Sequence, residues 1–259
     1  MPFTEINGKK IFYSWTPASR AGLTLYFIHG LGSSHSFWAP CIPGLVAAGF
    51  SCLSFDVPGF GQSPYNGKPH NLHEIADDCV ALLEGLGKSL DRTIIIGASM
   101  AGIVCCEIAV KHTIAGVVSV GPICPGPDTK EAFEHRVAVV KKGIVTAHPQ
   151  YGLEGIVNTV DIPTRATGSK ATKTAEAFVR SLIQSSNTEA YISLAQAIAD
   201  APVPEYSQIK VPLLWGAPSK TELEVLFGVG HWHCIEDAEG VEQCLKRFAK
   251  KVESKLPAY

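Results

Sequence analysis

The sequence is poor in features that would take it out of the ordinary globular class. No stretch approaches the roughly 20 consecutive apolar residues of a membrane-spanning helix. The longest apolar runs are strand-length and end at Gly or Pro. No basic run stands out among 22 Lys and Arg set against 24 Asp and Glu. The formal net charge of -2 therefore gives no support to a nucleic-acid surface. The N-terminal stretch MPFTEINGKKIFYSW lacks a basic segment followed by an apolar core, so no secretory signal is expected. There is no internal repeat and no long low-complexity segment. No two cysteines stand at C-x-x-C spacing, and His231-x-His233 has no third ligand at a readable spacing, so no metal is expected.

What is present suits a packed core. The 259 residues are 46% hydrophobic and 18% charged, enough for one large domain or a core with an insertion. The eight cysteines (Cys41, Cys52, Cys79, Cys105, Cys106, Cys124, Cys234, Cys244) are expected to be reduced, mostly buried thiols of a cytoplasmic protein.

Periodicity gives the organisation. Residues 3–15 read as a hairpin turned by Asn7-Gly8. Buried strands are expected at Leu23–Ile28, Ser51–Phe55, Thr93–Ile96 and Ala115–Val120. Helices are expected between them at Phe37–Ala48, His70–Leu86 and Met100–His112. This alternation predicts an α/β fold with a mostly parallel, twisted sheet and helices on both faces. After Gly121 the alternation stops, and residues from about 128 to 200 read mainly as helices. Strands are expected again at Val211–Trp215 and Glu224–Phe227, then a last helix from about 236 to 250. The expected division is a core of 1–124 and 206–259, with residues 125–205 inserted as a helical cap.

The chemistry is concentrated at strand ends. The strand TIII runs into Gly97-Ala98-Ser99-Met100-Ala101-Gly102 and then a helix. In that context a G-x-S-x-G-like turn lifts the serine hydroxyl above the sheet as a nucleophile. The neighbours two before and two after must be small, and Gly97 and Ala101 are. The helix N-terminus favours a developing anion, and the Met100 N–H points towards it. His29-Gly30-Leu31-Gly32 ends the first buried strand and is expected to add the Leu31 N–H, making an oxyanion hole. Asp56-Val57-Pro58-Gly59-Phe60-Gly61-Gln62-Ser63 reads as a rigid loop in which Asp56 satisfies backbone N–H groups. His231, in Gly228-Val229-Gly230-His231-Trp232, comes 132 residues after Ser99 and is the expected base. Phe37, Trp38 and Trp232 are expected to line the pocket mouth as substrate contacts. Arg136 and Arg165 are either carboxylate-binding groups or ordinary surface charges of the cap.

Taken together, HGLG, DVPGFGQS, GASMAG and GVGHW resemble the α/β-hydrolase superfamily across nearly the whole chain. Within it, DIPTRATGSK and GVGHWHCIE are most similar to the 3-oxoadipate enol-lactonase-like hydrolases of fungal type. The resemblance implies a cofactor-free serine hydrolase acting on a small-molecule ester or lactone. A C–C bond hydrolase, an acyltransferase and a weakly active ligand-binding protein on the same fold are the alternatives.

The superfamily order is nucleophile, acid, histidine. The acid normally follows the strand VPLLWG, where this sequence has Ala217-Pro218-Ser219-Lys220. Only fourteen positions separate Gly216 from Gly230. Three readings stay open: a segment missing near Ser219, an acid from elsewhere, or a Ser–His dyad. Asp128 is the leading substitute acid, with Glu222 and Glu224 as local ones.

Overall fold

The computed structural model describes residues 2–20, 22–146, 153–214 and 221–257. The chain opens on a hairpin of β1 (Phe3–Ile6) and β2 (Lys9–Thr16). Its turn places Asn7 at φ 50° and Gly8 at φ 73°, the paired left-handed conformations of a two-residue hairpin. Strand β3 (Thr24–Ile28) is buried throughout.

A single helix over Phe37–Ala48 does not form. A 3₁₀ turn (His35–Trp38) and a short helix α1 (Ile42–Ala47) take its place. Pro40 between them lacks an N–H and ends the first turn. Strand β4 (Ser51–Phe55) follows, then α2 (Leu72–Gly85), begun by the Asn71 side chain accepting from the His73 N–H. Next come β5 (Thr93–Ala98), α3 (Ala101–Lys111) and β6 (Gly116–Val120). Every residue of β5 is buried, with Ile94, Ile95 and Ile96 fully enclosed, as a parallel strand covered on both faces must be.

Helices α4 (Pro127–Thr146), α5 (Ile162–Arg165), α6 (Lys173–Gln184) and α7 (Thr188–Ala199) lie between β6 and the next strand. Strands β7 (Leu213–Leu214) and β8 (Thr221–Glu222) return to the sheet, and α8 (His233–Glu236) and α9 (Ala238–Glu253) close the described chain. Among the described residues the sheet has eight strands in the order β1-β2-β4-β3-β5-β6-β7-β8. The first three pair antiparallel and the rest parallel. Helices cover both faces: α2 packs on α3, and α1 on α9. No helix among the described residues is long and apolar enough to cross a membrane.

Strand order reverses at β3 and β5, because the chain builds outwards from β3 to one side and then the other. The crevice beyond the carboxyl ends at such a point is where open α/β sheets bind ligands. His29 and Ser99 stand at those two ends.

The strand expected at Glu224–Phe227 falls instead on Thr221–Glu222. Six residues, 215–220, link β7 to β8, well short of the dozen or more of a helical crossover. Pairing therefore uses the first residues after the link. The apolar run beyond leaves the sheet, with Leu223, Val225 and Phe227 exposed at 69%, 59% and 83%.

Candidate active site

Ser99 follows the last residue of β5 at φ 56°, one of three described non-glycine residues with a left-handed backbone. Such a conformation is strained by about 1–3 kcal/mol and persists only where its surroundings over-determine it. Here the Ser99 N–H donates to the Val120 carbonyl (3.0 Å), and the Ser99 carbonyl accepts from the Gly102 N–H (3.0 Å) at the start of α3. The strand and helix all but touch at Gly97. A Cβ there would stand 2.4 Å from the Ala101 carbonyl oxygen and 2.6 Å from Cys105 Sγ. That contact is the physical reason the motif requires its first glycine.

The turn after β3 is pinned from behind. His29 is fully buried, donates from Nδ1 to the Gly30 carbonyl (2.8 Å) and accepts at Nε2 from the Val57 N–H (3.0 Å). Burial holds its pKa below the ordinary histidine value, as this neutral pattern requires. Gly30 sits against the nucleophile, its would-be Cβ only 3.1 Å from Ser99 Cβ. Among the described residues, neither the Leu31 nor the Met100 N–H donates to a protein acceptor.

Asp56 is fully buried and accepts from the His35 N–H (2.6 Å), His35 Nδ1 (2.9 Å) and the Gln62 N–H (2.8 Å). Burial alone would raise its pKa. The bonds from His35 and Gln62 and the nearby His29 outweigh it and hold the carboxyl low. This acid is consumed in shaping the loop.

His231 sits on a loop clamped to the cap. Its N–H donates to the Ala166 carbonyl (2.6 Å), and the Lys170 N–H to the Gly228 carbonyl (2.9 Å). Gly168 and Gly230 permit the approach, since a Cβ on Gly230 would lie 2.5 Å from the Gly168 nitrogen. Glu236 completes the clamp. Its carboxylate accepts from the N–H groups of Gly168 (2.6 Å), Gly230 (2.9 Å) and Trp232 (3.0 Å). Packing around the imidazole, with His233 and Arg136 adding positive charge, pushes its pKa down to about 4 against the opposing pull of Glu236. His231 keeps access to solvent, which softens the burial effect, so the direction carries more than the value.

Ser99, Leu31, His231 and Trp232 line one cavity of about 250 Å³. Phe133 and Arg136 of α4, Ile162 of α5, Ile183 of α6 and Tyr191 of α7 form its cap side. Met100 lies directly behind, its side chain fully buried. Trp38 is not at the mouth: it is fully buried against Phe27 and Phe37, and Phe37 takes the wall instead. Arg165 is exposed at the end of α5 and does not line the cavity. A larger groove of about 910 Å³ runs between α2, α3 and α7, but it contains neither Ser99 nor His231.

Among the described residues, no carboxylate hydrogen-bonds to the His231 ring. Asp128 is exposed in the first turn of α4, Glu222 pairs with Lys251, and Glu224 pairs with Arg247 (2.8 Å). The stretch Ala217–Lys220, where the superfamily carries its acid, lies outside the described residues. The sequence reading missed Glu236. Its signal was a glutamate four positions after Trp232, at the end of a one-turn helix.

The chain belongs to the alpha/beta hydrolase family, whose sequence profile matches residues 25–243. It is 30% identical over 129 residues to RutD, a candidate carbamate hydrolase of Caulobacter sp. (strain K31), covering 48% of this chain and 47% of that protein. It is 29% identical over 92 residues to the pimeloyl-[acyl-carrier protein] methyl ester esterase of Aeromonas hydrophila, covering 35% and 34%. The chain thus spans half or less of the length of the curated relatives it matches. A thermophilic esterase from Thermogutta terrifontis superposes with a TM-score of 0.83 at 20% identity, over 98% of this chain and 100% of that one. The enol-lactonase from Burkholderia xenovorans LB400 does so with 0.76 at 21% identity, over 96% and 100%. At these identities the structural likeness speaks for the fold.

Proposed function

We propose that the protein is a cofactor-free serine hydrolase acting on a small ester or lactone. The observation that carries this is Ser99, held at φ 56° between β5 and α3 and sharing a cavity with His231. Ser99 Oγ attacks the carbonyl carbon while His231 takes its proton. The oxyanion forms against the N–H groups of Leu31 and Met100, each such donor contributing typically about 3–4 kcal/mol in the transition state. The protonated His231 returns its proton to the leaving alcohol or enol oxygen. It then takes a proton from water, whose oxygen attacks the acyl-enzyme. Residues 125–205 act as the cap that closes the acyl pocket, with Trp232 against the substrate. Eight free thiols, seven of them buried, support a reducing compartment, the cytoplasm.

A serine-directed fluorophosphonate should label Ser99, and Ser99→Ala should abolish labelling. Labelling that survives the substitution defeats the assignment. One observation favours a second reading, a ligand-binding protein of slow turnover: the His231 ring has no carboxylate partner among the described residues. A panel of small esters and lactones separates the two, because stabilisation without turnover belongs to the binder alone.

A further inference from the structure

The cavity over Ser99 is largely apolar, walled by Phe37, Ile123, Phe133, Ile162, Ile183 and Trp232. Apart from His231, its one ionisable cation is Arg136. The guanidinium lies over the Phe133 ring, 4.4 Å from its centroid. Among the described residues, Arg136 has no carboxylate partner and no hydrogen bond. Other arginines are engaged: Arg247 with Glu224, Arg20 with Glu253, and Arg180 with the Asn158 side chain. The remaining unpartnered polar atoms of the wall are donors too, the indole N–H of Trp232 and the hydroxyl of Ser33. Nothing in the wall offers the fixed anion that would answer this positive charge.

A half-buried guanidinium without a counter-ion, at the edge of an apolar cavity, is an anion site in waiting. Stacking on Phe133 holds the planar group in place and leaves its N–H edge free for a bidentate acceptor. Carboxylates match that fork. The volume of about 250 Å³ falls below the roughly 300–1,000 Å³ of sites for drug-sized ligands, so the ligand is compact.

Building on the hydrolase reading, we propose that Arg136 is a specificity-determining residue that binds a free carboxylate on the acyl part of the substrate. The preferred substrates are then short esters or lactones that carry a carboxylate, and neutral esters of equal length are poorer. Arg165, outside the cavity, has no part in this selection.

The test is a matched pair, monomethyl glutarate and methyl pentanoate, with methanol release followed by NMR. The wild-type kcat/KM should favour the glutarate by about tenfold to hundredfold, the range of one charge-assisted hydrogen bond. Arg136→Gln should bring the ratio near one, chiefly through KM for the glutarate. Arg136→Glu should invert it, and Arg165→Gln should leave it unchanged. Circular dichroism confirms that each variant is folded. If fluorophosphonate labels Ser99 but the wild type shows no carboxylate preference, or Arg136→Gln keeps one, this inference falls and the hydrolase reading stands. Absence of both labelling and turnover removes the hydrolase reading instead. The carboxylate site is then judged by binding. Monomethyl glutarate should raise the melting temperature of the wild type, methyl pentanoate should not, and Arg136→Gln should erase the difference. Equal shifts overturn the proposal.

Discussion

Replacing Glu236 with glutamine should loosen the loop that carries His231. One carboxylate accepts three backbone N–H groups, two at Oε2 from Gly168 and Gly230 and one at Oε1 from Trp232. An amide keeps a single acceptor oxygen and turns an NH₂ towards the other side. At least one N–H then faces a donor, and the remaining bonds lose their charge assistance. A hydrogen bond to a charged group contributes roughly 1.5–3 kcal/mol, and a neutral one about 1. The loop is only part-buried, so water recovers some of the loss, and a net destabilisation of about 2–4 kcal/mol follows. For a chain of this size that is a fall in melting temperature of about 5–15 °C.

The functional consequence is the sharper test. Gly168 belongs to the cap side and Gly230 to the histidine loop, so Glu236 ties the position of His231 to the cap. Displacement of a base by about 1 Å costs on the order of a hundredfold in rate. The fluorophosphonate labelling rate of folded Glu236→Gln at 25 °C should therefore drop at least about tenfold, with Glu236→Asp recovering part of it. A lower melting temperature with an unchanged labelling rate would show that the clamp is merely structural. No change in either would refute the reasoning altogether.

Three further outcomes are expected. The labelling rate should stay flat as pH falls through 6.5 and decline only as it approaches about 4, because the neutral His231 ring is the base; a midpoint above 6.5 would reveal an unseen carboxylate on the ring. Stability should fall over the same window, since His231, His29, His70 and His233 all bind protons less readily folded than unfolded, and urea midpoints at pH 7, 5.5 and 4.5 check the sign. Gly97→Ala should cost about 3 kcal/mol or more, because its Cβ meets a backbone carbonyl at 2.4 Å, whereas Gly8→Ala should cost only about 1–2 kcal/mol of left-handed strain in open space. Gly121→Asp combined with His233→Ala should speed labelling and raise its pH midpoint, since a Cβ at Gly121 stands 3.4 Å from His231 Nδ1 and only the His233 ring blocks it.

Legibility followed how locally each feature is determined. The turn around Ser99 could be read because the contact of strand and helix dictates small residues at Gly97 and Ala101, and their spacing is visible in one line of text. The buried strands β3 and β5 could be read because burial on both faces demands unbroken apolar runs. Leu223–Phe227 imitated such a run and was not one. Its fate depends on how the six residues before it link two strands, which no periodicity encodes. Phe37 and Trp38 are adjacent and aromatic, so only the 3₁₀ turn decides which faces the cavity. The same holds for Arg136 and Arg165. Each is a lone cation in a helix, and the phase of that helix sends one to the cavity and the other to solvent.

The two halves of the site are unequally built, and the inequality has a consequence. Around Ser99 every backbone group is placed, with two free N–H donors beside a helix N-terminus. Around His231 the neighbouring charges work the other way: His233 and Arg136 both oppose the imidazolium that must form when the ring takes the serine proton, and only Glu236 favours it. A substrate carboxylate seated on Arg136 cancels one of the opposing charges at the moment the base is needed. Binding and base strength are then coupled through a single residue. A neutral ester fills the cavity yet leaves His231 weak, whereas an anionic one brings part of the negative charge that a triad acid would supply. On this view the selectivity conferred by Arg136 should appear in kcat as well as in KM, and most strongly below neutral pH, where the ring is hardest to protonate productively.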